Sequence, residues 1–406
     1  RWADAYVEQS VERVYEWLKE KDLRFMPAVN WVERGDFIPG NSVPRYHILW
    51  GTGLRLAERF VNGIAVHPRR DRMRYVFGCR VLDLIEEGGR ITGCRGEIEA
   101  TGEEREFRGD VTIVATGGIN GNLQKVRDNW PGAPAELLNG SHPFCDGYLH
   151  DVVDRHGGRV THLENMWNYA AGIPHPQPHF ENHGLSLIPC KSALWLDHTG
   201  RRIGPHPLVT GFDTNEMCGR LAAMEKPWSW QVLNWRIAAK EFAISGSEHN
   251  PYIRDSKPLP FFREVLFGNH RLVRQMQEES DHFIVADSLE ELVEQMQALD
   301  GTDDVRLDNV ARSIDAFDDN VRRGPAQWND DQLRRIQHAR AWKSDRLRTC
   351  APKQLLDFKP LIAIKLRLIT RKSLGGIQTD LSSRALSKAG EPIPGLYAIG
   401  EAAGFG

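Results

Sequence analysis

Apolar residues recur at three- and four-residue spacing through Trp2, Tyr6, Val7, Val11, Val14, Tyr15 and Leu18, a period that predicts an amphipathic helix. Residues 24–50 are instead rich in Pro, Gly and aromatics, among them Phe25, Trp31, Phe37, Tyr46 and Trp50. Gly51-Thr52-Gly53 then opens a second helical pattern that runs to about Gly63. The pattern turns strand-like at Cys79–Glu86 and again at Arg90–Ile98, and Glu87-Gly88-Gly89 between them signals a hairpin. One more short strand precedes Asp110–Ala115, an apolar run that predicts a buried strand. Thr116-Gly117-Gly118 closes it, and Asn120 to Trp130 reads as helix.

From about residue 165 proline clusters at Pro174, Pro176, Pro178, Pro205 and Pro207, and Trp and His become frequent. Helical patterns dominate between Phe261 and Asn320, as in Leu289, Leu292, Val293, Met296 and Leu299. Strand-like runs return at Leu361–Ile369 and at Gly395–Gly400. These changes predict an α/β nucleotide-binding domain interrupted by an inserted domain, divided as residues 1–165, 166–359 and 360–406.

The balance of 52 Lys+Arg against 55 Asp+Glu gives no basic excess that would favour nucleic acid, and no apolar run reaches the ~18 residues of a membrane-spanning helix. The expected compartment is the cytoplasm. Six cysteines occur without any CxxC pair, so they are read as reduced structural thiols and no metal is expected. His175, His179 and His183 have helix-face spacing, but Pro174, Pro176 and Pro178 forbid that helix. The chain begins inside a helical pattern and stops in a glycine-rich turn, as a fragment of a longer protein would.

Two motifs carry chemistry. Thr112-Ile113-Val114-Ala115-Thr116-Gly117-Gly118 is an apolar strand ending in small residues, where backbone can approach a ligand and free N–H groups favour phosphate. Pro392-Ile393-Pro394-Gly395-Leu396-Tyr397-Ala398-Ile399-Gly400-Glu401-Ala402-Ala403-Gly404-Phe405-Gly406 is a second strand that ends in glycine, followed by a carboxylate able to accept hydrogen bonds from hydroxyls and a glycine-rich stretch. A glycine-rich packing turn is the alternative for each.

Together the two motifs resemble the fumarate reductase/succinate dehydrogenase flavoprotein superfamily. Further stretches resemble its FAD-binding dehydrogenases, close to the 3-ketosteroid dehydrogenases: Asn41-Ser42-Val43-Pro44-Arg45-Tyr46-His47-Ile48-Leu49-Trp50-Gly51-Thr52-Gly53, Lys240–Glu248, and Leu368-Ile369-Thr370-Arg371-Lys372-Ser373-Leu374-Gly375-Gly376. The resemblance implies a glutathione-reductase-type FAD domain, incomplete in this chain, with an inserted α+β substrate-capping domain. It implies adenine near Val81, the dinucleotide along Ala115, Thr116, Gly117 and Gly118, the ribityl or flavin side near Gly400 and Glu401, and the isoalloxazine near Gly375 and Gly376. The GxGxxG fingerprint is absent: Gly51-Thr52-Gly53-Leu54-Arg55-Leu56 has leucine at the third glycine and opens a helix.

The resemblance further implies hydride transfer between flavin N5 and a substrate carbon, at a CH–CH group next to a carbonyl. Fumarate reductases carry an arginine acid where Thr210 stands and histidines where Lys372 and Tyr169 stand, which argues against a dicarboxylate substrate. The Pro-x-Tyr-Ala setting of the ketosteroid enzymes is Pro360-Leu361-Ile362-Ala363 here, without the tyrosine. Tyr169 is the candidate acid or hydrogen-bond donor, and Arg371 or Lys372 the candidate carbonyl polariser. His47 could line the flavin, and Asp213 could orient the site or cap a helix. Trp228, Trp230 and Trp235 either pack the cap or line an apolar pocket, the second pointing to a steroid- or terpenoid-like substrate. A small-molecule substrate and an electron donor or acceptor are the expected partners, and the alternative is a flavin-binding relative that is a redox partner or ligand-binding protein.

Overall fold

A computed structural model describes residues 2–44 and 46–404, so Arg45 of the Asn41–Gly53 motif, and Phe405 and Gly406, lie outside the described residues. Two hydrophobic cores organise them. The smaller joins Leu84 and Ile91 of a hairpin, Val114, Leu149, Val152 and Val153 of helix Tyr148–Arg155, and Leu396, Ala398 and Ala402. The hairpin pairs Cys79–Glu87 with Arg90–Ile98, and Glu103–Arg108 adds a third antiparallel strand. Its turn residues Gly88 and Gly89 sit at φ 57° and 75°. Two successive positive φ values give the turn whose twist matches the strands, and residues without Cβ reach them without strain.

Beside the hairpin, Thr112–Val114 runs parallel to Leu396–Ala398, and Pro392–Ala398 is antiparallel to Arg384–Leu386. The carboxyl ends of the two parallel strands, each carrying one of the glycine-rich motifs, therefore lie next to each other. The run expected as a buried strand is shorter and less buried than its apolar character suggested. Among the described residues Thr112–Val114 is paired on one side only, which leaves Val111 and Ile113 about half exposed while Val114 is buried.

The larger core surrounds an eight-stranded sheet. Its long strand, Leu361–Ser373, is antiparallel to Trp228–Asn234, Met166–Pro174 and Phe283–Ala286, and parallel to Leu138–Asn139. Leu361, Ile362, Ala363 and Ile364 are all buried, which explains an apolar run with no alternation. The strand that begins at Leu361 thus belongs to the same sheet as Met166–Pro174 and Trp228–Asn234. The chain leaves it only after Ser373, and Gly376–Ile377 pairs with Val160–Thr161 beyond.

Helices Pro258–Phe267, His270–Glu279, Leu289–Asp300 and Leu307–Arg323 follow the expected helical region, and Asn269 and Ser288 cap two of them with side-chain oxygens. Trp230 is fully buried in the core, Trp228 faces the Lys365 ammonium, and the Trp235 indole donates to His270 Nδ1. The three tryptophans pack the sheet and its covering helices. The opening segment is helical from Trp2 to Glu20, yet none of its residues is buried. Its apolar stripe meets small partners, Tyr15 on Phe25 and Trp17 on Phe60, and leaves Tyr6 and Val7 exposed.

Candidate active site

Gly118 lies where the two motifs and the long strand meet. A Cβ there would come within 2.4 Å of Ser373 Oγ and 2.6 Å of Glu401 Oε1. Ser373 N donates to Glu401 Oε1 at 2.8 Å, Ser373 Oγ donates to Asn120 Oδ1 at 2.7 Å, and Ile119 N donates to Ser373 Oγ at 2.8 Å. One hydrogen-bonded knot therefore ties both strand ends to the last residue of the large sheet. Gly117, at φ 76°, has Cys145 Sγ where its Cβ would be, 2.6 Å away. A Cβ on Gly375 would come 2.0 Å from His162 O, and one on Gly376 2.5 Å from Ala402 O. These four are glycine because the chain closes on itself around them.

Gly400 differs. It has φ 63°, and nothing lies within 4 Å of the Cβ position. Ala115 and Thr116 beside it are exposed. Small residues and open backbone at the carboxyl ends of two parallel strands fit an extended dinucleotide. Val81 is half-buried in the outer hairpin strand opposite Gly96.

A cavity of about 970 Å³ opens against the large sheet, near the upper end for small-molecule sites. Its walls include Ile48, Leu49, Ala170, Leu187, Ile244 and Phe261. Trp167 and Tyr169, on strand Met166–Pro174, line it together with Tyr46, Glu33, His47 and Thr210. Burial raises the Tyr169 phenol, and neighbouring Arg371 opposes that rise. Burial also raises the Tyr46 phenol, with Glu33 and Tyr169 adding to it. Both side chains hold their protons at neutral pH. Glu33, at φ 55°, accepts from the Thr214 hydroxyl.

Of the basic candidates, Arg371 stands beside Tyr169 and donates from Nη1 to Gly140 O at 3.0 Å, and burial lowers its guanidinium from the usual range. Lys372 is paired across the sheet with Trp167 and is exposed, with its ammonium 5.6 Å over the Trp167 ring. Asp213 Oδ1 accepts from Glu216 N at 2.9 Å and caps helix Thr214–Ala222. His47 lines the cavity. His175 and His183 stack at 4.2 Å in a loop rather than on a helix, and His175 Nε2 meets Glu248 at 3.2 Å.

Residues 1–406 match the family described as FAD binding domain. The chain belongs to that family. Its cofactor is FAD, and the FAD-binding chain is an oxidoreductase of dehydrogenase type. A KsdD-like steroid dehydrogenase of Mycobacterium tuberculosis is 38% identical over the whole of this chain and 75% of its own length. One from Mycolicibacterium smegmatis is 39% identical, with 77% of its length covered. Among solved structures, a flavocytochrome c3 fumarate reductase superposes with TM-score 0.62 at 14% identity, over 98% of this FAD-binding chain and 57% of that one. A 3-ketosteroid-Δ4-(5α)-dehydrogenase from Rhodococcus jostii, in complex with 4-androstene-3,17-dione, gives TM-score 0.58 at 16% identity, over 98% and 73%. The chain thus spans little more than half the length of the first of these structures. No helix among the described residues is long and apolar enough to cross a membrane.

Tyr46 and Glu33 escaped the sequence reading because they come from a segment without periodicity, far from Tyr169 along the chain. The one available signal was the density of aromatics and prolines in 24–50, the mark of a shaped loop.

Proposed function

We propose that this protein dehydrogenates, or in reverse reduces, a CH–CH group next to a carbonyl in an apolar, steroid-like substrate. The observation that carries this reading is a cavity of about 970 Å³ with mostly apolar walls and two protonated phenols, Tyr169 and Tyr46, on one side. Bound FAD supplies the chemistry of accepting or giving the hydride.

The chain's own groups bind and polarise the carbonyl. Tyr169 Oη, kept protonated by burial, donates a hydrogen bond to the substrate carbonyl and so favours the enol-like charge that develops there. Arg371 beside it stabilises negative charge at the phenol oxygen and positions it. Tyr46 is the second donor. Apolar walls exclude water and select a fused-ring substrate over a dicarboxylate, in keeping with Thr210 at the cavity wall where an arginine acid would stand. FAD would run along Ala115, Thr116, Gly117 and Gly118, past Val81 at the adenine and Gly400 and Glu401 toward the flavin, whose ring would approach Gly375 and Gly376. Steroid dehydrogenase relatives at 38–39% identity support the substrate class.

The test compares Tyr169→Phe and Lys372→Met in the flavin-loaded full-length protein. Tyr169→Phe is expected to lower kcat by about 10²-fold or more with flavin content unchanged. Lys372→Met, which removes an exposed ammonium 5.6 Å over the Trp167 ring, is expected to lower turnover less than Tyr169→Phe, and an equal loss with flavin retained would give Lys372 the carbonyl-polarising role. Full turnover in Tyr169→Phe would remove Tyr169 from the mechanism.

A further inference from the structure

Removing two hydrogens from a CH–CH group beside a carbonyl needs a proton acceptor, and Tyr169, Tyr46 and Arg371 all hold protons already. The hydrogen that leaves as a proton sits on the carbon next to the carbonyl. Its acceptor must therefore stand close to the phenols that hold the carbonyl oxygen. Glu33 stands there. It lines the cavity together with Tyr46 and Tyr169, and its negative charge helps to raise both phenols.

The other titratable groups of the wall are occupied or placed elsewhere. Glu241 accepts from Ser192 N, Ser192 Oγ and Cys350 N at 3.0, 2.6 and 2.6 Å. Glu264 is paired with Arg271 at 3.1 Å. The Arg348 guanidinium has no lone pair to offer, and His47 is exposed. Glu33, by contrast, forms no ion pair among the described residues. Thr214 Oγ1 donates to Glu33 Oε1, and Thr214 N donates to Oε2 at 3.4 Å. A carboxylate has about four acceptor sites, so these two bonds leave lone pairs on both oxygens. Thr214 is itself on the cavity wall.

Backbone bonds fix the place of this side chain. Glu33 O accepts from Asn41 N at 2.6 Å, and Arg34 N and Gly35 N donate to Gly211 O and Phe212 O at 3.3 and 2.8 Å. Between these bonds Glu33 sits at φ 55°, a left-handed conformation that is unfavourable for a residue with a Cβ. Such strain persists where the surroundings impose it, and it gathers at sites of chemistry.

We propose that Glu33 is the proton acceptor of the reaction, a role that rests on the function proposed above. The C–H bond beside the carbonyl breaks, and its proton passes to a carboxylate oxygen of Glu33. The electron pair of that bond becomes the second bond between the two carbons, as a hydride leaves the neighbouring carbon for bound FAD. In the reverse direction the Glu33 carboxylic acid returns the proton.

Turnover and hydrogen exchange of 17β-hydroxy-5α-androstan-3-one test this on the flavin-loaded full-length protein. Glu33→Gln, which keeps the shape and an acceptor for Thr214, is expected to lower kcat by about 10²-fold or more, with flavin content and steroid affinity unchanged. Exchange separates the proton from the hydride. In deuterium oxide, with the flavin reduced beforehand, the parent should replace hydrogens next to the carbonyl by deuterium, and Glu33→Gln should not. Glu33→Gly relieves the backbone strain and opens the place of the side chain, so added formate should restore exchange and turnover in that variant. Full turnover with full exchange in Glu33→Gln would assign the proton to another group, and overturn this role while the proposed function stands. A parent whose flavin is not bleached by the steroid, and which exchanges none of its hydrogens, would bring down the function too.

Discussion

At the scale of single residues, the glycines divide into those that the chain needs and those that leave room for a ligand. Gly118 belongs to the first kind. A methyl group there would press on Ser373 Oγ and Glu401 Oε1 and pry open the knot that joins both strand ends to the large sheet. Gly118→Ala is expected to cost about 1–3 kcal/mol, as overpacking does, and to lower flavin retention. Thermal unfolding and the ratio of flavin to protein absorbance measure both, and an alanine variant of unchanged stability would show that the knot yields freely. Gly400, with open space at its Cβ position, should tolerate alanine less for the strain of its positive φ than for contact. Which glycine did which was not legible in the sequence. The motif shows that small residues gather, whereas the atoms that crowd them, Ser373, Cys145 and His162, come from remote positions.

At the scale of elements, helix Tyr148–Arg155 supports the Gly400–Ala402 turn from inside the smaller core. It carries His150, buried and beside Lys125, whose imidazole burial lowers to about 4 from an ordinary 6.5. The sign follows from proton counting. Between pH 6.5 and 4 the unfolded chain binds a proton that the folded one does not, so the contribution is whole above 6.5 and is lost as pH falls toward 4. This histidine is expected to withdraw on the order of 1–3 kcal/mol over that window. Thermal melts of the parent and His150→Leu between pH 7 and pH 4.5 would check it: the parent should lose more stability than the variant, and parallel curves would contradict the assignment.

The elements themselves were uneven in how plainly they announced themselves. Gly88-Gly89 made the hairpin legible because only one turn type suits two such residues between alternating strands. The fate of Leu361–Ser373 was not legible, since a strand buried on both faces reads alike in either sheet. Pairing with Trp228–Asn234 and Met166–Pro174 is a tertiary matter. The opening helix was correctly periodic, but its exposed stripe shows that periodicity announces an apolar face without saying what covers it.

At the scale of the whole molecule, two cores meet at Ser373, where the glycine-rich strand ends are tied to the large sheet, and an apolar cavity lies beside that sheet. The family was readable from the two glycine-rich motifs, while the cavity was assembled from segments as distant as Met26 and Arg348. Tyr169 was named from its own segment, whereas Tyr46 and Glu33, which line the same cavity, come from a distant stretch without periodicity. The central claim, an FAD-dependent dehydrogenase of an apolar carbonyl compound, is tested most directly by one absorbance experiment. Purified full-length protein is desalted, its visible spectrum is recorded, and it is mixed without oxygen with a saturated 3-ketosteroid or with succinate. Flavin bands that survive desalting and are bleached by the ketosteroid alone are the expected result. A protein that stays colourless after added FAD, or a flavin bleached by succinate and not by the steroid, would contradict the account.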